Sequence, residues 1–246
     1  MRYVVVSDIH GNLEAFQAVL EHAARNSGFG NIICLGDVVG YGPDPHECMQ
    51  LLRKYEHLCV GGNHDLAAVG LVDTSAFNPL AASAAQWTSE HLDHGDISYL
   101  RGLPLTAVVD GFTLAHGSPR EPIWEYIASP WVALKNLKHF ETPYCLVGHT
   151  HVPVIFRFKG AEESDCVAEP FPQDGVLVLT TERMIINPGG VGQPRDGDPR
   201  AAYAVLDIDA KTLRQFRVEY NIALTQEKML RAGLAAPLIR RLSFGR

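Results

Sequence analysis

The sequence has no pair of cysteines at the C-x-x-C spacing, and its five cysteines are an odd number. Cys34 and Cys145 sit inside apolar runs, where a thiol behaves as a small hydrophobe. All five are read as reduced thiols of a reducing compartment. Long hydrophobic stretches are also missing. No window approaches the ~20 apolar residues of a membrane span. The opening Met-Arg-Tyr-Val-Val-Val-Ser-Asp has no apolar core ahead of a small-residue cleavage site. These absences lead us to expect a cytoplasmic protein. Positive charge is scarce as well: 21 Lys and Arg stand against 28 Asp and Glu, a formal net charge of -7. That counts against a polyanion-binding surface, since phosphate backbones reward Lys and Arg. Repeats and low-complexity segments are absent.

What is present is a chain of 246 residues, 46% hydrophobic and 20% charged. Those values suit a globular protein with a core of its own. Short apolar runs recur, each ending in polar residues. "YVVV" ends in Ser7-Asp8-Ile9-His10, "NIICL" in Gly36-Asp37, and "HLCV" in Gly61-Gly62-Asn63-His64-Asp65. "FTLA" ends in His116-Gly117 and "YCLV" in Gly148-His149-Thr150-His151. Such Val-, Ile- and Leu-rich runs read as buried strands.

Between them lie segments with helical spacing. Leu13–Ala24 places Leu13, Phe16, Val19 and Leu20 on one face, with Asn12 as its cap. Pro45–Tyr55, Ala76–His91 and Val132–Leu137 read as further helices. Strands alternating with helices predict βαβ units in the first half. The second half reads as successive strands, with a hairpin turn at Asp207–Lys211. Glu162–Asp174 is the most loop-like stretch. We expect one α/β domain over residues 1–246, closing in a helical segment at about 224–242 with a break at Pro237.

In open α/β sheets, ligands sit at the carboxyl ends of strands. Five strand ends here carry Asp8, His10, Asp37, Asn63, His64, His116, His149 and His151. Taken singly, an Asp after a strand caps a turn and a His is a packing residue. The pairs are different. Asp8/His10 and His149/His151 are spaced i, i+2, and on extended backbone alternate side chains share a face. Each pair should aim two ligands at one point. Two carboxylates, one amide oxygen and at least four imidazoles are too many donors for one tetrahedral zinc. They suit two ions, with one carboxylate between them. Nitrogen and oxygen donors without thiolate fit Mn, Fe, Zn, Co or Ni.

Asp8-x-His10, Gly36-Asp37, Gly62-Asn63-His64-Asp65, His116 and Gly148-His149-Thr150-His151, in that order, resemble the signature of the calcineurin-like metallophosphoesterases. "GDVVGYGPDPHEC" and "INPGGVGQPRDGDPRAAYAVLD" look like its small bacterial phosphodiesterase and phosphatase subgroup. The resemblance implies a two-sheet β-sandwich flanked by helices, in α/β/β/α order. It implies that Asp8, His10 and His151 hold one metal ion, that Asn63, His116 and His149 hold a second, and that Asp37 bridges them. Two divalent ions are expected, manganese first. The implied reaction is attack on a phosphodiester or phosphomonoester by a hydroxide held between the ions. His64 would be the general acid, with Asp65 orienting its imidazole. Where this subgroup often has serine after Asn-Pro-Gly, the chain reads Gly190.

Arg195 and Arg200 lie in the "GQPRDGDPR" stretch, and Arg195 is the candidate for a substrate phosphate. Tyr41–Pro45 and Trp124–Glu125 are candidates to line the pocket. The expected partner is a small phosphoester or a phosphoprotein, not a membrane or a nucleic acid; the oligomeric state stays open. A non-catalytic scaffold subunit and a nuclease are the alternatives. Retention of His64 and of every ligand speaks against the first. The acidic charge speaks against the second.

Overall fold

The computed structural model describes residues 1–160 and 165–246. Among them, twelve strands form two six-stranded sheets. The first sheet grows from β1 (Arg2–Val6), β2 (Asn31–Cys34) and β3 (Glu56–Cys59), which run parallel. Its other half is antiparallel: β11 (Ala201–Asp207) pairs β1, β12 (Thr212–Val218) pairs β11, and β9 (Val176–Val178) closes the edge. The second sheet has the order β4 (Thr106–Val109), β5 (Phe112–Ala115), β6 (Tyr144–Leu146), β10 (Arg183–Asn187), β7 (Val154–Phe158) and β8 (Cys166–Glu169). Within it β5, β6 and β10 are parallel neighbours.

The apolar runs are buried on both faces, which explains why they read as continuous rather than alternating. Alternate residues of each strand divide between two layers. Tyr3, Val5, Ile33 and Leu35 of the first sheet meet Phe112, Leu114, Leu146 and Ile186 of the second between the sheets. Val4, Val6, Ile32 and Cys34 face outward beneath α1 (Leu13–Asn26), α2 (Pro45–Leu52) and α5 (His94–Arg101), meeting Phe16, Val19, Met49 and Leu100. On the far side Cys145, Phe156 and Ile185 pack under Ala133 of α6 (Pro130–Asn136) and Ile127. The layers are therefore helix, sheet, sheet, helix, the predicted sandwich. All five cysteines are buried and free.

Helix starts follow local chemistry. Asn12 caps α1 by accepting from Ala15 N at 3.1 Å. Asn78 and Ser129 cap α4 (Pro79–Glu90) and α6, each with proline in the first turn. The helix α5 was not expected. Asp93 and Asp96 cap it reciprocally, each carboxylate accepting the other's amide, and Ile97, Tyr99 and Leu100 pack inward. Residues 162–164 of the expected loop lie outside the described residues, while Cys166–Glu169 within that stretch pairs with β7.

The C-terminal segment is two helices, α7 (Ile222–Arg231) and α8 (Ala236–Arg241). The break is not at Pro237, which sits in the first turn of α8. It falls at Gly233, whose φ of +72 suits a residue without a side chain. Both helices pack on this chain: Met229, Leu234, Leu238 and Leu242 bury against Tyr41 and against Ala81 and Ala84 of α4. No helix among the described residues is long and apolar enough to cross a membrane.

Candidate metal centre

The carboxyl ends of β1, β2, β3, β5 and β6 meet at the seam between the sheets. Backbone contacts lock these ends together: Asp8 N donates to Gly36 O at 3.0 Å, His10 N to Asp37 O at 2.9 Å, and Gly148 N to His116 O at 2.8 Å. The i, i+2 pairs do not converge through an extended pleat. Asp8, His10, Asp37, His149 and His151 all have positive φ, between 50 and 63. Left-handed turns cost about 1–2 kcal/mol per non-glycine residue, and such strain gathers at functional sites. Asp8 and His10 do point to one place. His149 and His151 do not: they fall in two separate groups.

The first group is Asp8, His10 and His151. His151 Nε2 lies 3.1 Å from Asp8 Oδ1 and 3.2 Å from His10 Nε2. The second group is Asp37, His116 and His149. His116 Nε2 lies 3.3 Å from Asp37 Oδ2, 3.1 Å from Asn63 Oδ1 and 3.1 Å from His149 Nδ1. Asp37 Oδ2 also reaches His10 Nε2 at 3.7 Å, so it touches both groups.

Whether these donors fit cations follows from their protons. The Nδ1 atoms of His10, His116 and His151 face the carbonyl oxygens of Val39, Leu35 and Gln193. A carbonyl only accepts, so each Nδ1 carries a proton, and each ring in its neutral form presents a lone pair at Nε2. In the first group two bare nitrogens face the Asp8 Oδ1, which has no hydrogen-bond partner among the described residues. In the second group His116 Nε2 faces two oxygens and a nitrogen. Ligands about 2 Å from one ion lie about 3 Å apart, the spacing seen here. Both groups fit a divalent cation.

The electrostatics agree. Burial drives His10 well below the ordinary histidine value, and it lowers His151, aided by the Arg195 charge. Burial alone would raise Asp8, but His151 and its neighbours hold it low, and His116 does the same for Asp37. Burial opposes charge on His116 too, yet Asp37 and Asp8 outweigh it and push the ring up to about 10. The two carboxylates demand positive charge at this point.

His64 is the second residue of α3 (Asn63–Ala68), where its amide donates to Asp37 Oδ1 at 2.9 Å. Its ring packs on Tyr41, Phe77 and His10, with centroids at 4.3, 4.8 and 5.0 Å. The expectation that Asp65 orients this ring is corrected. The Asp65 carboxylate instead accepts backbone amides: Asp37 N at 2.7 Å, Gly62 N at 3.1 Å and Val39 N at 3.1 Å. Among the described residues His64 Nδ1 is buried without a partner. Burial lowers the His64 ring to about 4, against the pull of Asp37 and helped by Arg195. Burial and the Asp37 charge raise Asp65 to about 7, against the Gly62 and Val39 amides.

Some site residues escaped the sequence reading. Tyr126 stacks on the His149 ring at 3.9 Å, and no sequence signal marks it. Asn187 Nδ2 donates to Gly148 O at 2.6 Å and Thr150 Oγ1 at 3.0 Å, holding the histidine turn. Here the Asn-Pro-Gly motif was visible but its task was not. Trp124 reaches the rim through Phe77, with ring centroids 5.4 Å apart. Glu125 turns away to Ser118 and Asn136. Arg195 stands beside the first group, its amide 3.4 Å from His151 O. Arg200 is exposed and forked onto Asp198. At Gly190 a β-carbon would come within 3.1 Å of the His151 Cβ. A cavity of about 670 Å³ beside Arg120, Leu134, Lys138 and Arg183 touches none of the metal-ligand candidates.

A helix-flanked two-sheet sandwich with paired N/O ligand groups at its strand ends defines a metallophosphoesterase. The chain belongs to the calcineurin-like phosphoesterase superfamily, whose domain model matches residues 1–211. It is 45% identical to a metallophosphoesterase from Sphaerobacter thermophilus of known structure, with a TM-score of 0.89 over 100% of this chain and 99% of that one. It is 37% identical to an uncharacterised protein of Methanocaldococcus jannaschii across 98% of this chain and 97% of that protein. A hypothetical protein from Pyrococcus horikoshii shares the fold at 20% identity, with a TM-score of 0.80 over 100% of this chain and 98% of that one.

Proposed function

We propose that this protein is a dinuclear metal-dependent phosphoesterase acting on phosphodiester or phosphomonoester bonds. One observation carries the reading: Asp37 Oδ2 touches His10 Nε2 and His116 Nε2, one from each ligand group. Asp8, His10 and His151 would hold one ion, and Asn63, His116 and His149 the other, with Asp37 shared. The thiolate-free donor set fits Mn, Fe, Zn, Co or Ni with little selectivity among them, and manganese is taken first. When bound, the pair of cations supplies a nucleophile from water and neutralises charge on the phosphoryl oxygens.

The chain's own residues do the rest. Asp65 holds the Asp37–Val39 backbone and so sets where the shared carboxylate points. Arg195 is placed to take a phosphoryl oxygen. His64 gives a proton to the leaving oxygen, which is otherwise poorly expelled near neutral pH. The negative charge of a bound ester favours the protonated imidazole, so that proton arrives with substrate. The five buried free thiols support a reducing, cytoplasmic setting, and a small phosphoester or a phosphoprotein is the partner.

Hydrolysis of bis-p-nitrophenyl phosphate and p-nitrophenyl phosphate by stripped protein, before and after Mn²⁺, tests the reading. Metal-dependent release that falls in His64→Ala is expected. Two bound ions with no release from any phosphoester would move the protein to the scaffold class.

A further inference from the structure

The histidines of the two ligand groups are not held alike. In His10, His116 and His151 the nitrogen turned away from the group meets a main-chain carbonyl oxygen, of Val39, Leu35 and Gln193. An outer hydrogen bond of this kind fixes both the tautomer and the direction of a ligand ring. His149 is the exception. Its Nδ1 is the nitrogen turned into the second group, 3.1 Å from His116 Nε2. Its far nitrogen, Nε2, is buried and has no hydrogen-bond partner among the described residues.

What lies against that ring is Tyr126. The ring centroids are 3.9 Å apart and the planes 23° from parallel, a contact that favours one orientation of the imidazole. Tyr126 is itself 50% exposed, so burial of its own surface does not account for its place. Its neighbour does. The Glu125 carboxylate accepts from Ser118 Oγ at 2.8 Å and Asn136 Nδ2 at 2.7 Å, and pairs with Arg120. Tyr126 O in turn accepts Ala128 N at 3.0 Å. Gly117, directly after the ligand candidate His116, lets this segment approach: a β-carbon there would lie 3.1 Å from Glu125 N and 3.1 Å from Glu125 O.

The donors of the second group give this support weight. Its carboxylate is Asp37, which also reaches the first group, and Asn63 adds a neutral amide oxygen. The first group has Asp8 besides. A group with one shared charge depends on how well its neutral ligands are aimed beforehand. We propose that Tyr126 is a positioning residue of the second ligand group: its ring, set in place by Glu125, does for His149 what main-chain carbonyls do for the other three histidines. The inference rests on the preceding reading in taking the two groups as holders of two ions.

The test is Mn²⁺ binding, followed by equilibrium dialysis with elemental analysis and by electron paramagnetic resonance, which separates a coupled pair of ions from a single one. Wild type is expected to bind two ions and to show the coupled spectrum. Tyr126→Ala should bind one ion as wild type does and the other about 10–100-fold more weakly, the usual cost of losing an outer partner of a metal ligand. Its spectrum at limiting Mn²⁺ should be that of a single ion. Tyr126→Phe keeps the ring and should restore both the affinity and the coupled spectrum. Tyr126→Leu fills the space without a ring and serves if the alanine variant folds poorly. Two ions held as tightly in the alanine and leucine variants as in wild type overturn the proposal and leave the dinuclear reading standing, even if KM rises. Equal weakening of both ions, or a phenylalanine variant as poor as alanine, overturns it as well. A wild type that never takes a second ion overturns the dinuclear reading, and this proposal with it.

Discussion

The Asp65 carboxylate is hydrogen-bonded to the main chain of Asp37: Oδ2 accepts the Asp37 amide at 2.7 Å. The same oxygen takes Gly62 N and its partner Oδ1 takes Val39 N. A buried acid thus ties the loop after β2 to the first turn of α3, and the shared ligand Asp37 sits on that tie. Replacing Asp65 with Asn turns an NH₂ toward at least one backbone N–H. The expected loss is about 1–3 kcal/mol of stability, with weaker metal retention. Denaturant titration and metal analysis check it. An Asp65→Asn protein with wild-type stability and metal content would contradict this role.

His64→Ala should keep its metal and lose about 10²–10⁴-fold in kcat on an ester with an alkoxide leaving group. The loss should be smaller on a nitrophenyl ester, whose leaving group needs less help. Equal losses on both would remove His64 from proton transfer.

Asp37→Asn should lower metal content at both groups together, because one oxygen is shared. Elemental analysis after dialysis reads this directly. Two ions at full occupancy would refute sharing.

Gly62 leaves no room for a side chain. A β-carbon there would lie 2.0 Å from Asp37 Oδ1 and 2.6 Å from Asp37 N. Gly62→Ala should cost about 1–3 kcal/mol by overpacking and should displace the shared carboxylate. Unchanged metal affinity in a folded Gly62→Ala protein would be inconsistent with that geometry.

His46 makes a hydrogen bond to Asp96 at 2.7 Å, and that bond raises its ring above the ordinary value of 6.5, against burial. A raised folded value stabilises most below the ordinary range and fades as pH climbs through the raised value. The ring is 34% exposed, so solvent screening holds the effect to about 0.5 kcal/mol. The gap in thermal midpoint between wild type and His46→Gln should be wider near about pH 5.5 than near about pH 9. A gap that grows with pH would reverse the assignment.

The candidate ligand residues were legible because their types are rare at strand ends and recur at five of them. The fold class was legible from the apolar runs, since buried strands leave long uninterrupted stretches of Val, Ile and Leu. Partnerships were harder to read. Spacing placed His149 and His151 together, whereas left-handed turns send them to separate groups. The family resemblance placed Asp65 on His64, whereas the helical turn aims it at Asp37's amide. The strands β9 and β10 read as consecutive yet belong to different sheets.

Sequence alone marked the side chains that gather at the candidate centre and showed that strands deliver them, because residue type and apolar periodicity are local properties. Tertiary structure decided which oxygen is shared, where each imidazole proton sits, and that Arg241 from the far end of the chain stands at Tyr41. Those depend on contacts across up to about two hundred positions of the chain, and only the packing of two sheets and their helices brings such partners within hydrogen-bonding and electrostatic reach.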